Sequence, residues 1–126
     1  LINVYAAELE AEIASSPVVI SHKIQLTITS STMGHIEVFI LFQDGSKLSA
    51  FEFLRLSNKT VNREKYRYQY MNSKDEEIFR YDNAPHHKSI ASFPHHKHIG
   101  SMVYSSKAPS LINVLKEVES KIFGFL

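Results

Sequence analysis

The chain has no cysteine among its 126 residues. That removes disulfide scaffolds, thiolate nucleophiles and cysteine zinc sites from consideration, and it fits a reducing compartment. No apolar run approaches the roughly 20 residues that cross a bilayer. The first turns carry Glu8, Glu10 and Glu12 where a signal peptide has a basic head and an apolar stretch, so a cytoplasmic protein with no membrane partner is expected. Charge of one sign is also lacking. A formal net charge of +1 sets up no global field toward nucleic acid or lipid, although a local basic surface stays open. The length and a hydrophobic fraction of 44% suit one domain, residues 1–126, with one core.

What is abundant is histidine, and it is concentrated. Pro85-His86-His87-Lys88 is followed nine residues later by Pro94-His95-His96-Lys97, and His98 closes the run. Five of the seven histidines lie in this segment. Histidine is the side chain whose ordinary pKa places proton exchange near neutral pH.

Around that segment the periodicity reads as an α+β protein. Ile2, Tyr5, Leu9 and Ile13 share one face of a helix over 2–14, which Ser15, Ser16 and Pro17 end. Val18 to Ile28 alternates with period two, and Ile36, Val38, Ile40 and Phe42 do the same. Asp44-Gly45 marks a hairpin, and Lys47 to Leu56 returns as the next strand. In Asn62 to Met71, Tyr66, Tyr68 and Tyr70 take one face while Arg63, Lys65, Arg67 and Gln69 take the other. Glu77 to Asp82 is a further strand, with Arg80 and Asp82 on one side of it. Residues 83–98 hold two prolines and no clear period, which predicts a long ordered loop. Met102 to Tyr104 offers a short edge strand. Ser110 is the candidate N-cap of a last helix with Leu111, Val114, Leu115, Val118 and Ile122 as its apolar stripe. The expected architecture is an antiparallel meander of about five strands with an N-terminal and a C-terminal helix packed on the sheet.

Three chemistries fit the histidine segment. In the first, imidazoles work as acid and base on RNA, which carries its own 2′-OH nucleophile. His86, His87, His95, His96 and His98 are the candidates, Arg80 and Lys97 the cations for phosphate, and Asp82 the carboxylate that orients an imidazole. No cofactor is then needed. One histidine from each tetrapeptide is the expected pair, with His86 and His96 first. In the second, His86, His96 and His98 hold zinc or nickel, for which imidazole is a common ligand, although no standard metal spacing is matched. In the third, the histidines are packed and hydrogen-bonded. Arg63, Lys65, Arg67 and Lys88 are candidates for binding an RNA backbone, with the tyrosines stacking on bases. The ordinary alternative is tyrosines packed on a helix and cations facing water. His22 reads as a hydrogen-bonded core or rim residue and His35 as solvated.

The run Phe79-Arg80-Tyr81-Asp82-Asn83-Ala84-Pro85-His86-His87, with Phe93-Pro94-His95-His96-Lys97-His98 after it, resembles the TumE-type toxin family. Ser16-Pro17-Val18-Val19, Tyr66-Arg67-Tyr68-Gln69-Tyr70 and Pro109-Ser110-Leu111 resemble its flanks. The resemblance implies the toxic half of a type II toxin–antitoxin pair, with a helix-turn-helix antitoxin encoded beside it. It carries over Arg80, Asp82, Asn83, His86, His87, His95, His96, Lys97 and His98 as the defining residues. Where family members often carry acidic residues early in the last helix, this chain has Ile112 and Asn113, which predicts a slightly weaker helix start.

Overall fold

The computed structural model describes residues 1–124. Helix α1 spans Ile2–Ala14 and helix α2 spans Leu111–Phe123. Between them run β1 (Val19–Ile28), β2 (Met33–Phe42), β3 (Lys47–Ser57), β4 (Thr60–Met71), β5 (Glu77–Asp82), β6 (His96–Ile99) and β7 (Met102–Ser105). They form one seven-stranded sheet in sequential order, every neighbouring pair antiparallel.

Seven strands stand where about five were expected; the short edge strand expected over Met102 to Tyr104 is β7, and β6 is the addition. The segment 83–98 is not loop throughout, because its last residues enter β6 and pair with β5. His96, Lys97 and His98 are polar on both faces of the strand, so no hydrophobic alternation announces it. Backbone hydrogen bonds to both neighbours hold it in place. The turns follow their residues. Gly45 supplies a φ of 84° after Asp44, and Asn58 and Lys59 take φ values of 51° and 60° in the two-residue β3–β4 turn, the backbone that best matches strand twist.

Helix α2 starts more firmly than its lack of early carboxylates predicts. Ser110 Oγ accepts from the Asn113 N–H, and Asn113 Oδ1 accepts from the Ser110 N–H, both at 3.0 Å. Asn113 thus completes a reciprocal capping box in the place a Glu or Gln usually takes.

Alternation gives the sheet two unlike faces. Val38, Ile40, Leu48, Ala50, Tyr68, Tyr70 and Phe79 point to one side, where they pack with Ile2, Leu9 and Ile13 of α1 and Leu111, Val114, Leu115 and Val118 of α2. Tyr66, Tyr68 and Tyr70 are all buried there, so these tyrosines serve the core and not base stacking. The other face has no helix over it. Lys65, Arg67 and Arg80 lie there beside Phe51, Phe53 and the half-exposed Phe39.

One polar network is buried on the helix side. Glu52, 2% exposed, accepts from the Tyr5 and Tyr68 hydroxyls. Tyr68 in turn accepts from Arg63 Nη1 at 2.7 Å, and Arg63 donates to the Pro109 carbonyl. A register shift between Phe53 and Leu54 pairs Leu54 with Arg63 and leaves Glu64 extra. This bulge turns Arg63 onto the core side, away from the face that Lys65 and Arg67 occupy. Burial and the Glu52 carboxylate push the Tyr5 and Tyr68 hydroxyls well above their ordinary pKa, so both stay protonated donors. Tyr68→Phe strips Glu52 of one donor and Arg63 of an acceptor. It is expected to destabilise by about 1–3 kcal/mol, read as a lower urea midpoint at unchanged slope.

Candidate active site

The β5–β6 register builds the site. Arg80 lies opposite His98, Tyr81 opposite Lys97, and Asp82 opposite His96. Residues two apart share a face, so Arg80, Asp82, His96 and His98 meet on the helix-free side. Tyr81 and Lys97 meet on the core side. There Lys97 Nζ donates to Glu117 Oε2 of α2 at 2.8 Å and sits 4.7 Å from the Tyr81 and Phe79 ring centroids. Burial works against its charge, but its bonds to Glu117 and Tyr81 outweigh that and raise its pKa. Lys97 is a tie between sheet and helix and does not reach the pocket.

Asp82 and His96 are both buried. His96 Nε2 is 2.8 Å from Asp82 Oδ1, which also accepts the Ala84 N–H at 3.0 Å. Asp82 Oδ2 accepts from Arg80 Nε at 3.2 Å and faces His98 Nε2 at 3.5 Å. The other nitrogen of His96, Nδ1, is 2.8 Å from the Pro94 carbonyl. A carbonyl only accepts, so Nδ1 carries a proton. Nε2 faces the Asp82 carboxylate, so both ring nitrogens of His96 are engaged by oxygen partners.

His87 reaches the same place from the loop after β5. The ring centroids of His87, His96 and His98 are 4.9, 5.5 and 4.8 Å apart, all edge to face. Burial and then the Arg80 charge push the His98 pKa below its ordinary value; Asp82 pulls the other way, and His96 and His87 add to the lowering. A pocket of about 750 Å³ opens over these rings. Arg67, Lys65, Arg80 and the exposed His86 contribute to its wall, and Phe51 and Phe93 give it an apolar side.

The remaining candidates lie elsewhere. His95 Nδ1 is 2.8 Å from the Tyr66 hydroxyl, its ring stacked on Tyr66 at 5.8 Å and outside the pocket wall. Burial raises the Tyr66 hydroxyl to about 12, with Arg63 opposing and Asp82 adding. Arg63 belongs to the buried network, and Lys88 is exposed away from the pocket. Asn83 clamps the β4 bulge, with Oδ1 accepting from the Tyr66 N–H at 3.0 Å and Nδ2 donating to the Glu64 carbonyl at 2.9 Å. His22 pairs with Glu10 at 3.3 Å on the rim. His35 lies 5.7 Å from the Phe51 ring instead of standing in solvent.

Among the described residues the histidines close enough to hold one metal ion are His87, His96 and His98, so His87 takes the place expected of His86. Phe51 and Phe93 went unread as wall residues. The available signal was an aromatic at an odd position of β3, on the face that Lys65 and Arg67 share.

A family model described as Toxin TumE matches residues 9–122. No curated protein and no solved structure matches the chain.

The His98 environment has a direct readout. In an NMR titration of metal-free protein its midpoint is expected below 6.5, the ordinary value. Arg80→Gln removes a cation that opposes protonation, so the midpoint should rise, though burial keeps part of the lowering. A midpoint at or above 6.5 in the native protein would contradict the geometry.

Proposed function

The chain belongs to the TumE toxin family, and from that premise we propose that it poisons the cell by cutting RNA in the cytoplasm, through histidine acid–base chemistry that needs no metal. The observation that carries this reading is the convergence of three imidazoles with Arg80 and Arg67 on one pocket of the helix-free face.

The acid–base pair in this reading is His87 and His98, in place of the His86 and His96 that the residue pattern put first. His96 has both nitrogens committed to oxygen partners and acts as a positioning residue. His98 is held toward its neutral form by burial and Arg80, the state a base requires. It takes the 2′-OH proton as the 2′-oxygen bonds to phosphorus. The bond from phosphorus to the 5′-oxygen breaks, and His87 in its protonated form gives that oxygen its proton. The products are a 2′,3′-cyclic phosphate and a free 5′-OH. Arg80 and Arg67 stabilise the charge on the crowded phosphate. Arg67 has no ion-pair partner among the described residues, in contrast to Arg55, which pairs with Glu64 at 3.0 Å. A cationic face interleaved with Phe39, Phe51 and Phe53 suits a single strand, because phosphates meet cations while bases meet rings. A helix-turn-helix antitoxin is the partner this reading calls for.

The test is RNA cleavage by purified protein in excess chelator. Wild-type fragments should end in cyclic phosphate. His98→Ala and His87→Ala should each slow cleavage by about 10²–10⁴-fold, while His22→Ala, on the rim beside Glu10, leaves it unchanged. The acid limb of the rate should have its midpoint below about 6.5, because His98 must be unprotonated and its pKa is lowered. Equal fragmentation by wild type and both variants, or none by wild type, would remove the proposal.

A further inference from the structure

We infer that His87, His96 and His98 form a binding site for a divalent first-row transition metal of the zinc class, and that filling it switches the RNA-cutting centre off. The second half rests on the function proposed above; the binding site stands without it.

The donor set argues for the metal. One ligand nitrogen from each of the three histidines lies within 4.8 Å of the others. A tetrahedral zinc with bonds of about 2.0–2.1 Å sets its ligands roughly 3.4 Å apart, so the cluster closes by a shift of about 1.5 Å. His87, carried by a loop and not by a strand, can supply that shift. The outer partners are already in place. The Pro94 carbonyl holds the His96 Nδ1 proton and so aims Nε2 into the cluster, and the Ala84 N–H and Arg80 hold the Asp82 carboxylate. A metal ligand imidazole typically has this kind of support on its second nitrogen. Three imidazole nitrogens favour zinc or nickel over magnesium or calcium, which take oxygen sets.

Off, and not on, follows from what coordination takes away. The lone pair that His98 needs as a base and the proton that His87 needs as an acid are both consumed by coordination.

Calorimetric titration of chelator-stripped protein with Zn²⁺ should give one ion per chain. His87→Ala and His98→Ala should each weaken binding at least tenfold, with the fold checked by circular dichroism. His95→Ala, whose ring lies outside the cluster, should bind as wild type does. Magnesium alone should not bind. Absence of stoichiometric binding, or binding that His87→Ala leaves intact, overturns the site. One equivalent of Zn²⁺ should abolish the chelator-resistant cleavage. Faster cleavage with Zn²⁺ overturns the silencing while the site stands. A protein that binds Zn²⁺ but never cuts RNA overturns the proposed function and the silencing together, and the site alone survives.

Discussion

The carboxylate of Asp82 is the group around which the histidine corner is assembled. It sits nearly dry at the end of β5 and gathers a backbone N–H and a guanidinium from its own stretch of chain and two imidazoles from β6. A buried carboxylate is costly unless such partners surround it, and each partner depends on it in return. His96 is buried too, and its second nitrogen has no oxygen to face if Asp82 is gone. The same contact fastens β6 to β5 through side chains, where the strand has few apolar residues to do so. Fold and chemistry therefore share one bond at this corner.

Parity along the strands then decides what each polar residue does. Lys97 stands between His96 and His98 in sequence, yet it spends its charge on Glu117 across the core. Arg63 and Arg67 are four apart in one strand, and the extra residue at the Glu64 bulge sends the first inward to Tyr68 and leaves the second outward over the pocket. The chain uses arginine, lysine and glutamate on both faces. On the helix side they satisfy one another under the helices. On the bare side several cations remain available to an anionic guest.

Much of this was legible in the residues. The two helices, the first five strands and their meander order follow from apolar periodicity and from turn residues such as Asp44-Gly45. The density of histidine located the cluster of His87, His96 and His98. What periodicity did not carry was β6, because a strand with polar residues on both faces looks like loop. Missing that strand hid the parity that separates His96 and His98 from Lys97. It also made His86 look as well placed as His87, although one is exposed at the rim and the other packs against the cluster. The Ser110–Asn113 cap was half visible. Serine announced the start of α2, and Asn113, read as a departure from the family pattern, turned out to be the other half of the box.

The strictly sequential sheet has a consequence for how the molecule comes into being. Every strand pairs with the one made just before it, so hairpins of short contact range can close as the polypeptide leaves the ribosome. Both halves of the histidine constellation follow β5 in sequence, and the strand bearing His96 and His98 is β6. The cluster of His87, His96 and His98 therefore closes only after β1 to β5 have been made and β6 pairs with β5.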